Sequence, residues 1–293
     1  MSERSAIKRI YEDKYKILMI IPFLLLILAM GQIVHQYSTT GEFLHRGVSL
    51  KGGISITVPG VTADTINLEE HLVTTLPEGD FTVRRITQAT GLVIDASDVS
   101  AEELVSAVRS NLGELSQEDY SIEQFGSSLG SSFFSQTLRA VFLAFLFMGI
   151  VVFFVFRNFG PSIGVMLAAF SDIICTLAVV NLLGIKMSTA GIAAFLMLIG
   201  YSVDTDILPS TRVLKNRKGT IMDRVYSSMK TGLTMTCTTM VAVIIALILS
   251  KSPTITQIMT ILLIGLVFDI IMTYIQNVGI LRLFLEKKHG KHN

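Results

Sequence analysis

Charge is scarce in this sequence. Of its 293 residues, 16% are Asp, Glu, Lys or Arg, 51% are hydrophobic and none is Trp. A soluble globular domain carries roughly 25% charged residues, so that class is excluded and an integral membrane protein is indicated. A basic excess is missing too: the formal net charge of +1 provides no phosphate-binding surface, which excludes a nucleic-acid partner. Cysteine is limited to Cys175 and Cys237, both inside apolar stretches. They can build no disulfide framework in an exposed domain and read as buried free thiols. The chain also lacks GxxxxGK[ST], HExxH and CxxC. An ATP-driven pump is disfavoured on that ground, no cofactor or metal is expected, and any work must draw on a partner or an ion gradient.

What the sequence does have is long apolar runs. A bilayer core needs about 20 mostly apolar residues in helical form, and six segments qualify: 17–36, 138–156, 162–183, 187–208, 231–250 and 255–279. The first has a basic lead but runs longer than a signal core, with no small-residue cleavage pattern before Gln36, so it reads as an uncleaved anchor. Lys and Arg fall unevenly beside the spans. The N-terminal tail holds five, the 157–161 turn one, the loop from Leu208 to Lys230 six and the C-terminal tail four, whereas the opposite short loops hold only Lys186 and Lys251. By the positive-inside rule both termini are expected in the cytoplasm and residues 38–137 outside. The expected organisation is therefore 1–37 as tail and first transmembrane helix, 38–137 as an extracytoplasmic domain, 138–284 as a five-helix remainder and 285–293 as a cytoplasmic tail.

The outer segment has a readable pattern. ISITV at 54–58 alternates like a strand, and NLEEHLVTTL at 67–76 is helical, with Asn67 and Glu70 at capping-box spacing. FTVRRIT and GLVIDA flank Gln88 to Thr90 as a hairpin. Ser100 and Glu103 cap a second helix, in which Ala101, Leu104, Val105, Val108 and Leu112 form one apolar stripe. YSIEQF at 120–125 supplies a last strand. The order β-α-β-β-α-β predicts a ferredoxin-like α+β domain inserted in a six-helix membrane protein. No catalytic cluster accompanies it: His45 and His71 are isolated and read as solvated.

The most informative residues lie in the membrane. Asp204 and Asp206 end an apolar stretch in the string GYSVDTDILPSTRVLK, Gly200 to Lys215. A carboxylate at membrane depth costs at least ~2.5–3.5 kcal/mol on insertion scales. Asp204 follows an unbroken apolar run and is expected within the membrane, with Asp206 nearer the helix end. The two are roughly 200° apart on a helix, so only one can face a given path. Asp172 on the third span, Thr234, Thr236, Thr238 and Thr239 on the fifth, and Asp269, Gln276 and Asn277 on the sixth complete an inventory that could relay protons. The alternative is that Asp172 and Asp269 bond neighbouring hydroxyls or Lys230 and hold helices together, and that the threonines are packing groups. Intramembrane aspartyl proteolysis needs Gly-x-Gly-Asp, but Tyr201, Ser202 and Val203 precede Asp204.

Six spans, one large outer loop and GYSVDTDILPSTRVLK after AGIAAFLMLI together resemble the SecF family of protein-export membrane proteins in its archaeal form. FLHRGVSLKGGISI at 43–56 is similar to the family's Gly-x-x-x-x-Gly-Gly string, matched by Gly47, Gly52 and Gly53. FGSSLGSS at 125–132 resembles the lead into its second span. AAFSDIICTL at 168–177 keeps Asp172, with Ser171 where bacterial members have His. SSMKTGLTMTCTTM at 227–240 resembles the Thr-rich fifth span, with Lys230 in place of a bacterial Arg. Gly200, Tyr201, Ser202 and Arg212 fall on motif positions. The bacterial motif reads Gly-Tyr-Ser-Ile-Asn-Asp-Thr, so Asp204 stands at the Asn, Thr205 at the Asp and Asp206 at the Thr. In register, Asp204 matches the functional aspartate of the paralogous SecD motif, and Asp269 fits the archaeal pattern.

The resemblance implies a non-enzymatic auxiliary subunit of the Sec translocase in the cytoplasmic membrane. Its implied partners are SecD, the translocon channel, the translocating polypeptide and the lipid bilayer, in an assembly similar to resistance-nodulation-division transporters. The proton motive force would drive the outer domain, and Asp204 is the expected carrier, ahead of Asp172. Two rival readings are a proton-coupled small-molecule exporter of the same superfamily and a scaffold that assembles SecD without moving protons.

Overall fold

The structure, a computed structural model, describes residues 11, 14–85, 91–113, 116, 119–215, 219–250 and 252–289. Six helical stretches are long and apolar enough to cross a membrane. The first joins a short turn, α1 (Tyr15–Leu18), to α2 (Ile20–Thr40). A one-turn helix α3 (Val48–Lys51) leads into the sheet domain. After that domain come α6 (Ser127–Phe156), α7 (Phe159–Leu182), α8 (Thr189–Lys215) and α9 (Ile221–Leu249). The last span is α10 (Pro253–Ile271), a π turn (Met272–Asn277) and α11 (Val278–His289). Helix α6 starts eleven residues before the span expected at 138. Its 30 residues make about 45 Å at 1.5 Å per residue, well beyond a hydrocarbon core of about 30 Å. Its polar first turns therefore lie at the level of the sheet domain.

That domain contains β1 (Gly53–Pro59), α4 (Thr65–Thr75), β2 (Asp80–Arg85), β3 (Gly91–Ser97), α5 (Ala101–Leu112) and β4 (Ser121–Phe125). The sheet order is β2-β3-β1-β4 and each neighbouring pair is antiparallel, with Ile56 opposite both Ile94 and Ile122 and Val83 opposite Ile94. This is the expected β-α-β-β-α-β arrangement. Alternation sets which residues face inward. Ile54, Ile56 and Val58 of β1 meet Leu92 and Ile94 of β3, under Leu68 and Leu72 of α4 and Leu104 and Val108 of α5. Ser100 and Glu103 form the capping box as expected, with Glu103 N–H donating to Ser100 Oγ at 3.3 Å and Ser100 N–H to Glu103 Oε2 at 3.0 Å. The Asn67 and Glu70 box does not form. Helix α4 starts at Thr65, and Asp64 caps it by accepting from Ile66 N–H at 3.1 Å. Asp64 offers a carboxylate one turn earlier, and Asn67 donates to that carboxylate at 3.2 Å. The hairpin turn at Gln88 to Thr90 lies outside the described residues.

The sheet's other face lies over the outer rim of the helices, which explains why β3 is buried along its whole length. Asp95 is covered there, accepting from Ser55 Oγ at 2.7 Å and paired with Arg84. Lys186, between α7 and α8, donates to Asp80 of β2 at 3.2 Å. The segment from Phe43 to Lys51 ties the two layers together. Asn181 Nδ2 donates to Phe43 O at 3.0 Å, Met187 N–H to His45 O at 2.6 Å and Gly47 N–H to Met187 O at 2.8 Å. The glycines of this segment are forced by contact. Gly52 has φ +93°, and a Cβ there would sit 2.4 Å from Ser127 Cα; at Gly53, φ +139°, it would sit 2.4 Å from Ala96 O. His45 and His71 are not merely solvated: His45 bonds Gln36 at 2.8 Å and His71 bonds Ser110 at 2.9 Å.

Among the membrane helices, α7, α8 and α10 form the buried centre, while α2, α6 and α9 turn large apolar side chains outward. Cys175 on α7 is buried, whereas Cys237 on α9 is exposed.

Candidate intramembrane carboxylate site

Three of the sequence's membrane aspartates converge and one does not. Asp172 of α7, Asp206 of α8 and Asp269 of α10 are each at most 1% exposed. Helical spacing puts each on a polar stripe within an otherwise apolar helix. On α7, Ser171, Asp172 and Thr176 are buried together; on α8, the buried set is Ser202, Thr205, Asp206, Pro209 and Ser210. In α10 and the π turn, Asp269, Thr273, Gln276 and Asn277 follow at steps of three and four. Residues at such steps share a helix face. These three stripes meet.

Hydroxyls and amides satisfy part of the cluster. Ser202 Oγ donates to Asp172 Oδ2 at 2.5 Å and lies 3.5 Å from Asp206 Oδ2. The Thr205 hydroxyl is 2.7 Å from Asp269 Oδ1, and the Thr273 hydroxyl reaches the same oxygen at 3.3 Å. Asn277 Nδ2 spans the Asp206 carbonyl at 2.9 Å and its Oδ1 at 3.0 Å. Gln276 Nε2 donates to Ser171 Oγ at 3.1 Å, and that hydroxyl donates to Leu167 O at 2.8 Å. Two buried carboxyl oxygens, Asp172 Oδ1 and Asp269 Oδ2, have no donor among the described residues. Among the described residues no ion pair joins any of the three aspartates to a Lys, Arg or His. Three uncompensated buried charges are prohibitive, so the arrangement can act chemically as a store for protons.

The remaining expected residues lie elsewhere. Asp204 is exposed on the opposite face of α8 from Asp206, as the helical geometry of the pair requires. The structure thus places Asp206 in the cluster and Asp204 outside it. Lys230 is exposed on α9 and bonds none of the carboxylates. Of the α9 threonines Thr236 is buried, Thr234 and Thr238 are exposed and Thr239 is half-buried; the last three donate back to carbonyls one turn earlier, at 2.7, 2.7 and 3.1 Å. Tyr201, also outward-facing, bonds Thr239 at 3.1 Å. Gly200 has open space beside it, and Arg212 ties α8 to α9 through Ser227 O and Oγ, both at 2.8 Å. Gly52 and Gly53 belong to the layer junction. GSSLG at 126–130 has the spacing of a nucleophile elbow, yet among the described residues no hydrogen bond joins Ser128 to a histidine. Thr205 and Thr273 entered the cluster without having been singled out; their spacing of three or four residues from Ser202 and Asp269 was the available signal.

Comparison with known proteins agrees with this architecture. The family profile described as "Protein export membrane protein SecD/SecF, C-terminal" matches residues 105–287. The chain is 36% identical to the protein-export membrane protein SecF of Pyrococcus furiosus, over 98% of this chain and 97% of that one. With the SecF of Methanocaldococcus jannaschii it shares 37% identity over 94% of this chain and 98% of that one. Among solved structures, SecDF from Thermus thermophilus, described as a translocon-associated membrane protein, superposes with a TM-score of 0.71 at 20% identity. That match covers 94% of this chain and 38% of the SecDF chain, so the likeness is one of fold and this chain spans well under half of that protein. Full-length identity to archaeal SecF proteins decides the assignment: the chain belongs to the SecF family of protein-export membrane proteins.

Proposed function

We propose that this chain works in protein export as the SecF subunit beside a separate SecD, in the cytoplasmic membrane, with the carboxylate cluster holding the protons that couple export to the proton motive force. The Thermus structure joins SecD and SecF in one protein and this chain matches 38% of it, which supports SecD as the missing remainder. The sheet domain, 38–137, lies outside and meets the emerging polypeptide. Both termini and the 208–230 loop lie in the cytoplasm, the 138–284 helices form the membrane body, and the translocon channel and lipid complete the surroundings. No catalytic chemistry is assigned to it.

The observation that carries the coupling is the cluster itself: three buried carboxylates on three helices, two of their oxygens without a donor among the described residues, at the centre of an export protein. One charge crossing the membrane releases roughly 2.3 kcal/mol per 100 mV, so a few protons per cycle can bias a domain equilibrium by several kcal/mol. Asp206, bonded by Asn277 and reached by Ser202, is the leading carrier, with Asp172 and Asp269 beside it. Asp204 faces SecD. The test is gradient-stimulated export in vesicles that contain SecD, this chain and the channel. Asp206→Asn and Asp172→Asn are expected to remove the stimulation while leaving assembly intact. Undiminished stimulation in Asp172→Asn, Asp206→Asn and Asp269→Asn alike would leave the scaffold reading in possession.

A further inference from the structure

The six-residue π turn stands at the middle of the cluster, because Thr273, Gln276 and Asn277 all lie in it and reach Asp269, Ser171 and Asp206. Such turns are rare and concentrate at functional sites. They also disturb the backbone pairing. In an α-helix the N–H of residue 278 would bond the carbonyl of residue 274. Here the Val278 N–H goes to the carbonyls of Thr273 and Ile275. The Tyr274 carbonyl accepts instead from the phenol of Tyr11, at 2.6 Å, across 263 residues of sequence.

Tyr11 is itself anchored. Arg282 Nη1, on α11, donates to the Tyr11 carbonyl at 2.9 Å, and the Tyr11 ring lies 6.1 Å from that of Tyr226 on α9. Burial pushes the phenol's pKa up, so it remains a donor at every working pH. Nearby, Arg282 stacks 3.9 Å over the Tyr15 ring and Lys16 pairs with Glu286 at 3.3 Å. Among the described residues, the segment leading into α2 is therefore fastened along α11, with a long-range side-chain bond to the π turn at Tyr274.

We propose that Tyr11 is a positioning residue for the carboxylate cluster: its hydroxyl takes the carbonyl that the π turn releases, and so holds the turn that lays Asn277 on Asp206. The proposal rests on the reading of the cluster as a proton store. Without the hydroxyl, the Tyr274 carbonyl is left unpaired where water is scarce, and an unsatisfied backbone group is costly there. Return to α pairing repairs it, and that repair moves Gln276 and Asn277 relative to Asp206 and Ser171.

The experiment uses the full chain with SecD in lipid nanodiscs and follows the carboxyl C=O stretch by infrared difference spectroscopy across pH, the band being assigned with Asp206→Asn. Asn277→Ala, which removes the direct donor, sets the reference displacement of its midpoint. Tyr11→Phe is expected to displace the midpoint in the same sense, by about half a pH unit, the size one hydrogen bond allows. The double variant is expected to move no further than Asn277→Ala alone. A Tyr11→Phe midpoint at the wild-type value, with Asn277→Ala displaced, overturns the proposal and leaves the proton reading standing. Should no band titrate in the wild type, the proton reading falls. The role of Tyr11 is then decided by amide exchange at Val278 and Gly279, where faster exchange in Tyr11→Phe supports it and unchanged exchange overturns it. If Tyr11→Phe does not accumulate, Arg282→Gln, which frees the Tyr11 carbonyl, is expected to give the same displacement, and its absence counts against the proposal equally.

Discussion

At the scale of single residues, the division between Asp204 and Asp206 matters most. One carboxylate is wholly enclosed by α7, α10 and the π turn; the other looks outward from α8. Asp204→Asn is therefore expected to keep the cluster's infrared titration and to alter recovery of SecD on copurification. Asp206→Asn is expected to do the reverse. Ser202 supplies the donor to Asp172 Oδ2. Its removal in Ser202→Ala leaves a buried acceptor unpaired, so thermal or denaturant unfolding in detergent should show a loss of about 1–3 kcal/mol. An unchanged melt would mean that a proton or water already occupies that oxygen. Sequence periodicity does state that the two aspartates point apart, but it does not state which points inward. The companions decide it: Ser202, Thr205 and Ser210 share the face of Asp206 and make that face the buried polar one, whereas Gly200 and Tyr201, one turn before Asp204, are exposed.

At the scale of elements, stability depends on a few local devices. The Asp64 cap of α4 is worth about 1 kcal/mol, so Asp64→Ala should speed amide exchange in Thr65–Thr75 and leave α5 untouched. On α5 the Ser100 hydroxyl and backbone N–H hold the Glu103 carboxyl below its ordinary value of 4.5. A carboxyl depressed by folding stabilises the fold at pH above its unfolded value, and the contribution is lost as pH falls through the lower folded value. Acidification from pH 6 to 3 is thus expected to loosen the N-terminal turn of α5, and Ser100→Ala should lessen that pH dependence. Gly52→Ala combines a positive φ with a backbone collision against Ser127. It should cost about 2 kcal/mol or more, read as loss of ordered sheet domain in the full chain. Most elements were legible: the strands alternate, and the stripe from Ala101 to Leu112 is a clean helical face. The early start of α6 was not, because SSLGSSFFSQTLR is too polar for a span, and its helix is held by Gly130 packing on Leu50 and Gly52. The π turn has no signature at all, since MTYIQN would serve equally in an α-helix.

At the scale of the whole molecule, the positive-inside reading places the sheet domain outside and the α8–α9 loop in the cytoplasm. In intact cells or right-side-out vesicles, with the two native cysteines replaced, a membrane-impermeant maleimide should label Glu70→Cys on exposed α4 and spare Lys215→Cys at the end of α8. The opposite pattern would invert the topology and with it the direction of proton entry. The outward apolar faces of α2, α6 and α9 need lipid or a partner. Between β4 and α6 there is only Gly126, and that short connection has a mechanical consequence. A helix about 45 Å long by its rise per residue, joined to a sheet through one residue, has no slack in which to lose motion. A tilt of about 10° at its inner end sweeps its outer end sideways by roughly 8 Å on the same geometry, so a small rearrangement among the inner helices is expected to displace the sheet domain by about that distance.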